Sequence, residues 1–106
     1  LSSNGQAGVI IHAFQLPDGK FDHANADLLI LLPSGYPDCS PDMFYVSPHL
    51  TLTPSGRAPK ATNVRFSFAG RTWQRWSRHN EAWRPGIDGL RTMLARVQTA
   101  LNEARP

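Results

Sequence analysis

This chain of 106 residues contains one cysteine, Cys39, which excludes an internal disulfide and cannot by itself build a zinc site. A reducing, cytoplasmic setting is the expectation that fits such sparse sulfur. Long hydrophobic runs are also missing. No segment approaches the ~20 apolar residues needed to cross a bilayer, so no membrane role is expected. The opening residues carry neither a basic stretch nor a long apolar one, so no signal peptide is expected. The chain starts at Leu1 rather than Met, as a fragment or a processed product does. His12, His23 and His49 lack ligand-like spacing, so no metal site is expected, and no motif implies a cofactor.

Hydrophobic residues make up 41% and charged residues 18%, proportions that support one folded domain rather than a disordered chain. The formal net charge is +3. Arg65, Arg71, Arg75, Arg78, Arg84, Arg91 and Arg96 crowd the second half. Asp18, Asp22, Asp27, Asp38 and Asp42 occupy the first. This polarity predicts a basic face and an acidic face. Solvated surface is the simpler account of a +3 charge, and an acidic partner the sharper one.

Residues 1–8 are polar and Gly-containing and read as a flexible lead-in to a domain over residues 9–104. Residues 9–16 read as a strand. Pro17-Asp18-Gly19-Lys20 reads as a turn. Residues 27–32 read as a strand buried on both faces, a continuous apolar run after Asp27, and residues 43–46 as a third strand. Residues 47–70 are rich in Pro, Gly, Ser and Thr, with strand character only at 64–68. From Ile87 the period changes: Ile87, Leu90, Leu94, Val97, Leu101 and Ala104 make one helical stripe. Pro85-Gly86 marks its entry, and Asp88 suits the positive end of the helix dipole. The fold class is therefore α+β: a meander with one C-terminal helix.

The loop between the second and third strands is the most distinctive segment. Pro37 and Pro41 have fixed φ and no N–H, so neither fits a central strand, and each stiffens the residue before it. Tyr36-Pro37-Asp38-Cys39-Ser40-Pro41 resembles the Tyr-Pro-Phe-x-Pro-Pro loop of ubiquitin-conjugating (E2) domains. Ser47-Pro48-His49 sits where they carry His-Pro-Asn, and Trp83-x-Pro85 resembles the Trp-Ser-Pro before their crossover helix. More specifically, PDMFYVSPHLTL and WQRWSRHNEAWRPGIDGL look like the bacterial E2-like family called prokaryotic E2 family E.

The resemblance implies a ubiquitin-conjugating-like fold without the first and last E2 helices. It also implies a place in a bacterial ubiquitin-like conjugation pathway, of the kind used in antiphage defence. The partners it implies are a ubiquitin-like protein, an E1-like adenylating protein and a JAB-type peptidase. The sequence departs from the E2 pattern at Asp38, Ser47 and His49. Residues 49–83, where the nucleophilic cysteine of an E2 belongs, contain no cysteine. Cys39 lies in the loop that the resemblance turns toward partners, together with Tyr36 and Asp38.

If a hydroxyl replaces the thiol, Ser77 with His79 as its base is the candidate pair. At i and i+2, an extended backbone puts both side chains on one side. The plainer account has Ser77 capping local backbone and His79 as a hydrogen-bonded structural histidine. Trp73, Trp76 and Trp83 with Arg71, Arg75, Arg78 and Arg84 form a dense aromatic–arginine cluster. Trp and Arg dominate protein interfaces, and Arg over Trp gives cation–π contacts. Trp73, Arg75, Trp76 and Arg78 are thus binding candidates, as is His49. The plainer account has tryptophans anchoring the irregular segment to the core, expected above all for Trp83. Three functions follow: an E2-like binding component or oxyester carrier, a purely non-catalytic interaction module, and a small basic nucleic-acid-binding domain. Scattered Asp residues and the small net charge disfavour the last.

Overall fold

The computed structural model describes residues 2–3, 6–33, 43–53, 55–77, 84 and 89–105. Six strands form one antiparallel sheet: β1 (Ser2–Ser3), β2 (Gln6–Gln15), β3 (Asn25–Leu32), β4 (Phe44–Ser47), β5 (Arg65–Phe68) and β6 (Arg71–Trp76). One helix, α1 (Leu90–Glu103), follows. The strand order is β1-β2-β3-β4-β6-β5, so the meander is extended by a hairpin whose second strand lies against β4. This is the α+β plan expected from the sequence.

The differences lie in the details. Within the stretch expected as a lead-in, residues 1–8, β2 starts at Gln6 and Ser2–Ser3 pairs with it. β6 is a strand that the alternation did not announce. The expected turn forms: Gly19 takes φ 69°, and the Lys20 N–H donates to the Pro17 carbonyl at 3.4 Å. β2 carries a bulge between Ile11 and Phe14, where Ala13 adopts φ 54°. Asp27 holds it, accepting from the Ala13 N–H at 3.0 Å.

Apolar side chains pack on both faces of the sheet. On one, Leu28, Ile30, Phe44, Val46, Leu50 and Trp76 meet Met93, Val97 and Leu101 of α1. On the other, Leu29, Tyr45, Phe68 and Trp73 form a second cluster. The run 27–32 is thus buried on both sides because alternate residues feed different clusters. The helix buries Met93, Val97 and Leu101, with Leu90 and Leu94 half-buried beside them. The real stripe therefore includes Met93, which the sequence reading omitted. Gly89 precedes the helix with extended backbone, and its N–H donates to the Thr92 hydroxyl at 3.4 Å. At the other end, the Lys20 ammonium donates to the Asn102 carbonyl at 2.5 Å, a cation at the negative end of the dipole.

The long irregular segment after β4 is tied down. Phe21 bridges to Leu52, and Asp22 and Thr51 exchange backbone and side-chain hydrogen bonds. Leu50 and Leu52 are buried.

Candidate functional site

β6 lies between β4 and β5 and carries most of the described candidate residues. Strand alternation sends Thr72, Gln74 and Trp76 toward the helix and Arg71, Trp73 and Arg75 to the opposite face. Both tryptophans are 0% exposed. Trp76 stacks on Phe44 with centroids 5.3 Å apart, meets Phe21 edge-on, and donates its indole N–H to Gln74 Oε1 at 3.0 Å. The Trp73 indole donates to the Phe68 carbonyl at 3.1 Å, and the Arg71 guanidinium sits 4.5 Å above its ring. The expected arginine-over-tryptophan contact is therefore present, but it is internal. A fully buried ring has no face to give a partner or a nucleobase, so Trp73 and Trp76 are corrected from binding residues to core residues. Arg75 is half-buried opposite Tyr45, and its Nε is buried with no hydrogen-bond partner among the described residues.

Ser77 follows directly after β6. Its N–H donates to the Ala61 carbonyl at 3.1 Å, and the Lys60 N–H donates to the Arg105 carbonyl at 2.8 Å. These bonds stitch the irregular segment between the end of β6 and the end of α1. Beside the stitch lies a cleft of about 660 Å³, and the half-buried Ser77 is in its wall. Phe44, Met93 and Val97 give the cleft an apolar floor, and Lys60, Arg96, Glu103 and Arg105 supply its charge. No histidine lines it among the described residues. His79 and Arg78 lie outside the described residues, as do Tyr36, Asp38 and Cys39 of the proline loop and the Trp83–Pro85 motif.

His49 is half-buried, with Nε2 2.7 Å from Arg65 Nη1. The guanidinium is always a donor, so Nε2 accepts and the ring proton sits on Nδ1. Burial, and then the Arg65 charge, lower the pKa of His49 from its ordinary value, which favours this neutral form. Neighbouring Leu50 is held by Gln74, whose Oε1 accepts from the Leu50 N–H and whose Nε2 donates to the Leu50 carbonyl, each at 3.1 Å.

Some of the acids and bases that the sequence segregates meet in the fold. Asp27 from the first half pairs with Arg71 from the second at 3.0 Å and with His12 at 3.4 Å. His23 lies against Asp22 at 3.1 Å. Sequence reasoning missed Gln74, Lys60, Arg96 and Arg105. Gln74 acts on a backbone 24 positions away, and the cleft cations come from separate elements, so no local spacing announces either.

Among the described residues no helix is long and apolar enough to cross a membrane. Comparison with family models gives a match over residues 1–104 to the family described as prokaryotic E2 family E. Comparisons with curated proteins and with solved structures give no match.

Proposed function

The chain belongs to prokaryotic E2 family E, its meander and C-terminal helix forming a reduced E2-like fold, and on that premise we propose that it is the E2-like component of a bacterial ubiquitin-like conjugation pathway. It binds the ubiquitin-like protein, an E1-like adenylating partner, or both, in a cytoplasmic system that also holds a JAB-type peptidase. The observation that carries this reading is a family match spanning nearly the whole chain. The cleft beside Ser77 supports it as the place for an extended tail, because it is apolar at the base and lies where β6 ends.

The role we favour is a non-covalent platform. The chain's only thiol is Cys39, in the proline loop and not in residues 49–83. The second reading is a carrier. Here the Ser77 hydroxyl attacks the activated carbonyl of the tail, an ester bond forms, the activating group leaves, and His79 takes the hydroxyl proton. Ser77 in the cleft wall is what favours keeping it. Nucleic-acid binding loses its main support, since Trp73 and Trp76 are buried.

Intact mass decides between the two roles. The chain is mixed with ATP and with an E1-like protein and a ubiquitin-like protein from the same source. A platform gives a complex and no adduct. A carrier gives an adduct that hydroxylamine cleaves, mild thiol leaves intact and Ser77→Ala abolishes. Absence of both complex and adduct overturns the proposed function.

A further inference from the structure

The charge of the cleft goes beyond what a simple tail groove requires. Among the described residues, Lys60, Arg96 and Arg105 line the cleft together with one acid, Glu103. Lys60 and Arg105 are exposed and Arg96 is half-buried. The backbone bond from the Lys60 N–H to the Arg105 carbonyl, at 2.8 Å, fixes these two cationic residues beside each other at the end of α1. Small residues, Ala61, Ala100 and Ala104, keep the space between floor and rim open.

We infer that this cleft recognises the free C-terminal carboxylate of an extended peptide tail. An apolar side chain of the tail sits on Phe44, Met93 and Val97, while the carboxylate is drawn to Lys60, Arg96 and Arg105. Charge-assisted hydrogen bonds to a carboxylate are about twice as strong as neutral ones, and Arg suits its planar geometry. A few convergent polar groups over an apolar floor are the usual make-up of a selective pocket. This inference rests on the proposed ubiquitin-like partner and adds that the tail is held as the acid, without a covalent bond.

The test is an NMR titration of the isotope-labelled chain with two acetylated pentapeptides, Ala-Leu-Ala-Leu-Ala ending in a carboxylate and the same peptide ending in an amide. The expected result is shifts at the amides of Ala61, Ala95 and Ala100, with the amide peptide binding about tenfold more weakly. About 300 mM salt should narrow that difference, because the rim charges are screened. The Lys60→Ala/Arg105→Ala variant should abolish it, and both side chains are exposed, so folding is spared. Equal binding of acid and amide, shifts confined to other faces, or no binding of the acid peptide overturns the inference. A ubiquitin-like protein from the same source is titrated alongside. If it binds on another face, carboxylate recognition here falls and the proposed function stands. If the acid peptide binds and the ubiquitin-like protein does not, the reverse holds.

Discussion

Gln74 holds Leu50 by both of its backbone groups, accepting from the N–H and donating to the carbonyl at 3.1 Å each. The same Oε1 accepts from the Trp76 indole at 3.0 Å. One amide thus satisfies three buried polar groups, both backbone groups of Leu50 and the Trp76 indole. It substitutes for a strand where the chain leaves the sheet, and so fixes the segment that carries His49. Removing it strands those groups, each worth about 1–3 kcal/mol when buried and unmet. Gln74→Leu should lower stability to urea by about 3 kcal/mol. Gln74→Glu should not restore it, because a carboxylate cannot donate to the Leu50 carbonyl and brings a buried charge. A fully stable Gln74→Glu protein would show that the clamp is unimportant.

Trp73 and Trp76 should behave as core residues. Trp73→Phe loses the hydrogen bond to Phe68, much of the Arg71 contact and some packing, and should cost about 1–3 kcal/mol. Partner binding, measured on the folded fraction, should be unchanged. A large loss of binding with stability preserved would return Trp73 to an interface.

Much of the plan was legible because apolar pattern reports it directly. β3 and α1 are dominated by apolar runs and stripes, and Gly19 in the Pro17–Lys20 turn has the positive φ its type suggested. β6 was illegible for a physical reason. Its sequence, Arg-Thr-Trp-Gln-Arg-Trp, shows no apolar alternation, since apolar clusters cover both faces and Gln74 is buried with its polar atoms satisfied by Leu50, 24 positions away, and by Trp76. Sequence proximity suggested a shared surface for the tryptophans, but strand alternation drives Trp73 and Trp76 into different clusters. The stripe on α1 missed Met93 because it was laid through Leu90 and Leu94, the flanks of the buried line. Ser77 reached a cleft wall, as a residue ending a strand can, whereas its cationic neighbours were unreadable because folding alone assembles them.

Asp27 should make stability fall in acid. Its pKa is lowered, first by the hydrogen bond from the Ala13 N–H and then by Arg71 and His12, against a burial penalty that raises it. A carboxyl with a depressed folded pKa contributes stability that is present above its unfolded value of 3.8 and is lost as pH falls through the folded one. Asp27→Asn should therefore cost about 1–2 kcal/mol at neutral pH and less once pH falls through the depressed folded pKa of Asp27, narrowing the gap to the parent. Thermal unfolding at a series of pH values reads this. A gap that is constant with pH would mean that the loss is one of packing.

His49 and Arg65 give the protein a second, milder pH dependence. The 2.7 Å contact needs an unprotonated Nε2, and burial, followed by the Arg65 charge, depresses the pKa of His49 below 6.5. A histidine with a lowered folded pKa favours the folded state above its unfolded pKa and loses that advantage as pH drops from 6.5 toward the folded value. Protonation removes the lone pair that accepts from Arg65 and sets two cations together, so the contact should open in mild acid. An NMR titration of the imidazole should give a midpoint below 6.5, and Arg65→Met should move it upward without restoring the ordinary value, since the larger cause is burial. A midpoint above 6.5 in the parent would mean that an acid outweighs Arg65 at this ring. A full return to 6.5 in Arg65→Met would reverse the order of the two causes.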